Sequence, residues 1–268
     1  MNSEELACRI RRHVVEMTHI SHGSHIGSAL SIADILAVLY TNFVDVEKLK
    51  SNDKERTRVI LSKGHAGAAM YAALSEIGLI PIEELKTHYA DGSRLSGHVS
   101  HKNVPGVEIS TGSLGQGVGV AAGIALAGNK DKRNFRTFVI AGDGECNEGS
   151  VWEMVLFAYQ HKLNKLTLIV DRNRLQGLGA TSDILDMLDL KKKFEVFGWN
   201  ALEIDGHNHN ELRRAFAAID AEKPTCVIAN TVKGKGISFM ENNNLWHYRD
   251  PQGVDYENAI AELERCQP

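Results

Sequence analysis

The chain is poor in the residues that break or staple a fold. Five prolines in 268 residues and no low-complexity tract leave no stretch that reads as a linker between domains. The four cysteines, Cys8, Cys146, Cys226 and Cys266, stand far apart without a CxxC pair. They suggest neither a zinc knuckle nor a disulfide framework, and a reducing, cytoplasmic setting is the expectation. No apolar run approaches the roughly 20 residues that cross a bilayer. The net charge of −4 is interspersed along the chain, so neither nucleic acid nor an acidic membrane is an expected partner. The opening MNSEELACRIRRHVVEM carries acids early and alternates charged with apolar residues, which suits an amphipathic helix better than a signal peptide.

What the chain does have is a recurrent alternation of two patterns. Short apolar runs at 58–62, 136–142, 166–171, 199–205 and 225–232 read as buried strands. Between them, 65–78, 115–128, 150–163 and 210–220 carry apolar residues at helical spacing, and Ser150 with Glu153 makes a capping-box pattern at the start of the third. Strand, helix, strand repeated in this way predicts one α/β domain over residues 1–268, a mostly parallel sheet flanked by helices. The interval 63–135 is too long for one crossover. It predicts two or three helices and an extended loop over 91–113, of the length that carries function.

The run VIAGDGECNEGSVWE, residues 139–153, puts an acidic, glycine-rich turn at the carboxyl end of a predicted strand. In an open α/β sheet that end faces the ligand crevice, so Asp143 between Gly142 and Gly144 is placed to meet a ligand, and glycine lets a phosphate approach the backbone. The helix that follows offers N–H groups to an anion. One helix and one strand later comes IVDRNRLQ, which puts Asn173 just beyond the next strand end. An Asp carboxylate, an Asn amide oxygen and a main-chain carbonyl are oxygen ligands for Mg²⁺, or Ca²⁺ in its place, with a diphosphate completing the shell. Taken alone, Gly-Asp-Gly reads equally well as a surface turn.

Together these segments resemble the thiamine diphosphate enzymes, and among them transketolase. GDGECNEGSVWE and DRNRL are similar to the family's diphosphate and metal motif, and VILSKGHAGAAMYAAL, VPGVEISTGSLGQG, EIDGHN, TVKGKG and LWH match further blocks in order. The resemblance spans the chain but covers only the diphosphate-binding half of a full transketolase. It implies a thiamine diphosphate-binding fold and one subunit of a split enzyme. The partner would carry the pyrimidine-binding and C-terminal domains, with two copies of each chain in the working particle. The family's reaction moves a two-carbon ketol unit from a ketose to an aldose, the cofactor acting as electron sink while the protein positions groups and moves protons.

Residue by residue, the resemblance implies Mg²⁺ ligation by Asp143, Asn173 and the Leu175 carbonyl, and an N–H from Gly144 to the diphosphate. Ser28, His65, Lys233 and His247 would surround that diphosphate, Gly112 and Leu114 would hold the aminopyrimidine, and Glu145 and Gly177 would line the cofactor. Glu148 would join a carboxylate network across the subunit interface. His25, His98 and His247 would surround the substrate, since a neutral imidazole passes protons near pH 7. The other histidines named by position, His13, His19, His88, His161, His207 and His209, read as structural. The His22/His25 and His98/His101 spacings could suit a metal, but no carboxylate or cysteine set completes a zinc site.

Where transketolases usually have His-Pro, this chain has His25-Ile26 and His98-Val99. That leaves the sugar open between a pentose phosphate and a branched or sulfonated ketose. The glycines of GSLGQGVGVAAGIALAG are wrongly placed for a dinucleotide fingerprint and suit close helix packing, in the core or at an interface. Two rivals share the cofactor, the alpha subunit of a 2-oxo acid dehydrogenase and a deoxyxylulose phosphate synthase-like chain. A third is a non-catalytic binding module.

Overall fold

A computed structural model of the chain describes residues 1–265; Cys266 lies outside the described residues. Four helices, α1 (Ser3–Ser21), α2 (Ile26–Ser31), α3 (Ala33–Asn42) and α4 (Val46–Lys50), precede β1 (Arg58–Leu61). Then follow α5 (Gly67–Glu76), α6 (Gln116–Lys130), β2 (Thr137–Gly142), α7 (Gly149–Gln160) and β3 (Leu166–Arg172). The chain continues through α8 (Thr181–Leu185), α9 (Leu190–Val196), β4 (Asn200–Asp205), α10 (His209–Ala217), β5 (Thr225–Asn230) and α11 (Val254–Glu264). The five strands pair in the order β1-β2-β3-β5-β4, all parallel, so the α/β expectation holds. A parallel sheet needs both faces covered, and the strand pleat divides the core accordingly. Phe138, Ile140, Ile169 and Val227 point into the layer formed with α1, α3 and α5, whereas Val139, Leu168, Val170 and Ile228 point toward α6, α7 and α9.

The helix α1 forms as the opening residues suggest. Asn2 and Glu5 cap it reciprocally, and Leu6, Ile10, Val14 and Met17 line its buried stripe. One local expectation fails: α7 starts at Gly149 behind Glu148, which makes no side-chain cap bond. The Ser150 hydroxyl instead donates to the Gly115 carbonyl at 3.0 Å, so a tertiary partner displaces the local cap. The stretch between β1 and β2 is as expected, with two α-helices, 3₁₀ turns at 64–66 and 82–87, and an irregular loop from 88 to 115.

The glycine-rich helix α6 uses only some of its glycines for packing within the chain. A Cβ at Gly117 would stand 2.6 Å from Ser62 Oγ and 2.8 Å from its Cα, whereas Gly119 and Gly123 have open space where a Cβ would go. Glycine at those two exposed positions costs helix stability without a packing return inside this chain. Gly119→Ala and Gly123→Ala are each expected to stabilise the isolated chain by about 0.5–1 kcal/mol, and Gly117→Ala to destabilise it by about 1–3 kcal/mol, in urea unfolding.

Candidate active site

The carboxyl ends of β1, β2 and β3 and the segment after β5 converge on one cavity of about 560 Å³. Its lining includes His25, Ser28, His65, His98, Gly112, Leu114, Asp143, Gly144, Glu145, Glu148, Asn173, Leu175, Gly177 and His247, residues from five separate motifs. Lys233 stands behind that lining with its whole side chain buried. The sheet register brings the two acidic strand ends level, Gly142 opposite Asp171.

Asp143 follows Gly142 directly. Its Oδ1 accepts the Gly144 N–H at 2.8 Å and its Oδ2 the Arg174 N–H at 2.6 Å. Asn173 donates from Nδ2 to Asp171 Oδ2 at 2.9 Å. A carboxylate only accepts, so this bond fixes the amide and turns Oδ1 away from Asp171, where it accepts the Leu175 N–H at 3.1 Å. Burial, reinforced by the neighbouring Asp171, pushes the Asp143 carboxyl up to about 6. One strained carboxylate, one oriented amide oxygen and one carbonyl in the same lining are a fitting donor set for a hard divalent cation, whose charge would offset that strain.

His25 sits at the middle of a histidine cluster, its ring centroid 5.2 Å from His65, 5.5 Å from His98 and 4.9 Å from His247. The backbone at His25 is left-handed, φ +72°, and its N–H donates to the His247 carbonyl at 2.7 Å. Burial first, then the nearby positive groups, lower His25 to about 4 and His247 to about 3, and push His65 well below its usual range. These rings are therefore neutral at pH 7. Lys233 Nζ donates to His247 Nδ1 at 2.8 Å, which leaves the His247 proton on Nε2. Burial lowers Lys233 itself to about 8.

Two carboxylates do different work. Glu145 is buried and accepts from Ser62 Oγ at 2.5 Å, Gly115 N at 2.8 Å and Gly142 N at 3.2 Å, tying the segment after β1 and the start of α6 to the turn after β2. Glu148 is exposed at the rim. Sequence reasoning missed Lys63, Asp171, Gln176 and Tyr248. Lys63 lines the cavity, as do Gln176 and Tyr248, and forms a buried ion pair with Asp171. Lys63 lies inside a quoted motif, but only its buried partner 108 positions away marks it. Ile26 and Val99, the departures from His-Pro, are both buried and neither lines the cavity. The Val99 N–H donates to the Gly64 carbonyl at 2.9 Å, a bond proline could not make.

The family model described as the transketolase thiamine diphosphate binding domain matches residues 3–253. The chain belongs to the transketolase N-terminal family. It is 38% identical to an apulose-4-phosphate transketolase subunit from Phocaeicola vulgatus, over 94% of this chain and 90% of that protein. It is 39% identical to a 6-deoxy-6-sulfo-D-fructose transketolase subunit from Clostridium sp., over 90% and 88%. Among solved structures, transketolase from Campylobacter jejuni superposes with a TM-score of 0.87 at 29% identity, covering 98% of this chain and 43% of that one. The likeness thus runs along nearly the whole of this chain, which spans less than half of the solved transketolase.

Two measurements test this geometry. Lys63→Met would leave Asp171 charged and buried with only neutral donors, and is expected to destabilise the chain by about 3–5 kcal/mol in denaturant unfolding. A loss below about 1 kcal/mol would show that the neutral donors suffice. The depressed histidines give a pH signature. Between about pH 6.5 and 4 the unfolded chain takes up protons that folded His25 and His247 refuse. Their contribution to stability is present above that window and lost as pH falls through it. His25→Asn and His247→Asn should each flatten the decline, measured by urea unfolding at a series of pH values.

Proposed function

We propose that this chain is the thiamine diphosphate-binding subunit of a two-component transketolase, a single domain over residues 1–268 working in the cytoplasm. It would move a two-carbon ketol unit from a ketose to an aldose once joined to a polypeptide carrying pyrimidine-binding and C-terminal domains. The observation that carries this reading is the cavity itself: a cation donor set, buried lysine and neutral histidines built together at the strand ends. Relatives of matching length from Phocaeicola vulgatus and Clostridium sp. are named as subunits of transketolases, which supports the need for a partner.

In this reading Asp143, Asn173 and the Leu175 carbonyl hold Mg²⁺, and Gly144 N–H, Ser28, His65 and Lys233 hold the diphosphate. Gly112 and Leu114 present backbone groups to the aminopyrimidine. Thiamine diphosphate supplies the electron sink when bound. His25, His98 and His247 orient the sugar; His247 offers the Nε2 proton that Lys233 fixes there, and neutral His25 can accept one. Glu148, exposed at the rim, faces the partner. The working particle would be α2β2; an interface on this chain draws support from bare Gly119 and Gly123 on α6 and from exposed Leu156 and Phe157 on α7, the helix that packs against it.

Purification from the native host with Mg²⁺ present, followed by mass spectrometry, is expected to yield a second chain and thiamine diphosphate. The pair should transfer a ketol unit in a screen of a pentose phosphate, a branched and a sulfonated ketose. Asp143→Ala should reduce transfer by at least about 100-fold. A lone chain without thiamine diphosphate, or release of CO₂ from a 2-oxo acid, would overturn the reading.

A further inference from the structure

Away from the cavity, four elements meet at a second cluster of ionisable groups. Asp34 on α3 is buried and accepts from Arg11 of α1, from His207 Nδ1 at 2.6 Å and from His209 Nε2 at 3.0 Å. Burial opposes its charge, but Arg11 and the two imidazoles hold its carboxyl well below the usual range. Among the described residues, no group of three or more His, Cys, Asp or Glu side chains is disposed to hold a metal.

The cluster continues on the far side of His207. The Val232 N–H donates to His207 Nε2 at 2.8 Å. A ring nitrogen that accepts a backbone N–H carries no proton, so His207 is held as the Nδ1–H tautomer by Asp34 on one side and Val232 on the other. The loop that bears it lies tight against β5: the Gly206 N–H donates to the Asn230 carbonyl at 2.8 Å, and a Cβ on Gly206 would stand 2.5 Å from Thr231 Cγ2. The neighbours of Val232 are pinned as well, Thr231 N–H to the Arg172 carbonyl at 3.1 Å and Gly234 N–H to the Gly27 carbonyl at 3.0 Å. Between them, Lys233 extends its side chain to His247 Nδ1 at 2.8 Å and Asn244 Oδ1 at 3.1 Å.

We propose that His207 is a positioning residue that sets the Lys233 backbone through its Nε2 acceptor for the Val232 amide, and so fixes where the Lys233 ammonium meets His247. Its relevance to the cofactor rests on the cofactor-binding role proposed for Lys233, but the positioning itself needs no cofactor and is tested without one. Two amide variants separate the two sides of the ring. His207→Gln keeps an acceptor near the Nε2 position and gives up Asp34; His207→Asn keeps a donor near the Nδ1 position and gives up Val232.

The readouts, on the isotope-labelled full chain by NMR, are hydrogen exchange at the Val232 amide and the tautomer of His247, read from its two ring nitrogen shifts. The Gln variant should retain slow exchange and the Nε2–H form of His247. In the Asn variant, exchange at Val232 should quicken by about tenfold, the equivalent of one ordinary hydrogen bond. Its two His247 ring nitrogen shifts should draw together as the Nδ1–H form appears, because a displaced ammonium no longer claims Nδ1. Any other pattern, with the two variants alike or in reverse order, overturns the assignment. Because the test uses no cofactor, such a failure leaves the cofactor reading untouched.

Discussion

The ion pair between Lys63 and Asp171 is the constraint from which the site is hung. Both side chains are buried, a costly place for charge unless every remaining lone pair and proton is used. Here they are widely used. Lys63 also donates to the Ser28 carbonyl, and Asp171 accepts from Ser31, Asn173 and Thr231. One carboxylate at the end of the central strand thereby joins the end of β1, the α2 segment, the turn after β3 and the exit of β5. Burying a charge adds little net stability, but removing one partner is punishing, so the arrangement enforces one geometry. Its visible product is the Asn173 amide, whose orientation is set by the carboxylate beneath it.

The electrostatics of the cavity follow from the same burial. Desolvation raises the Asp143 carboxyl and lowers Lys233 and three histidines, so the charged forms of Asp143 and Lys233 are held at a cost while the imidazoles stay neutral. A cation relieves the carboxylate, and an anion relieves the ammonium. A metal diphosphate satisfies both demands at once, which no single simple ion does. The strain is spread over elements held by separate devices, the Glu145 clamp on one side and the Asp34 cluster on the other.

Much of the fold was readable because its signal is local. Each of the five runs forms a strand, with ends displaced by only one or two residues; β2, β3 and β5, buried on both faces, show as unbroken apolar runs, while the edge strand β4 alternates. What the sequence left unread has one cause. Ser150 looked like a cap because its neighbours in sequence fit, and it was claimed by Gly115, 35 positions away. Glu145 does line the cavity, but only its partners show that its oxygens also accept from Ser62, Gly115 and Gly142. His207 read as an ordinary structural histidine, and only its contacts at 173 and 25 residues' separation give it a direction.

The sequence by itself determined the strand-helix alternation, the acidic turn after β2 and the donor types at Asp143 and Asn173, because those depend on residue chemistry and on spacing along one or two elements. Only the tertiary structure decided which groups are charged, which nitrogen of His247 carries its proton, and which face of α6 is bare. Protonation and tautomer are set by burial and by partners distant in sequence, and neither quantity is written into any local run of residues.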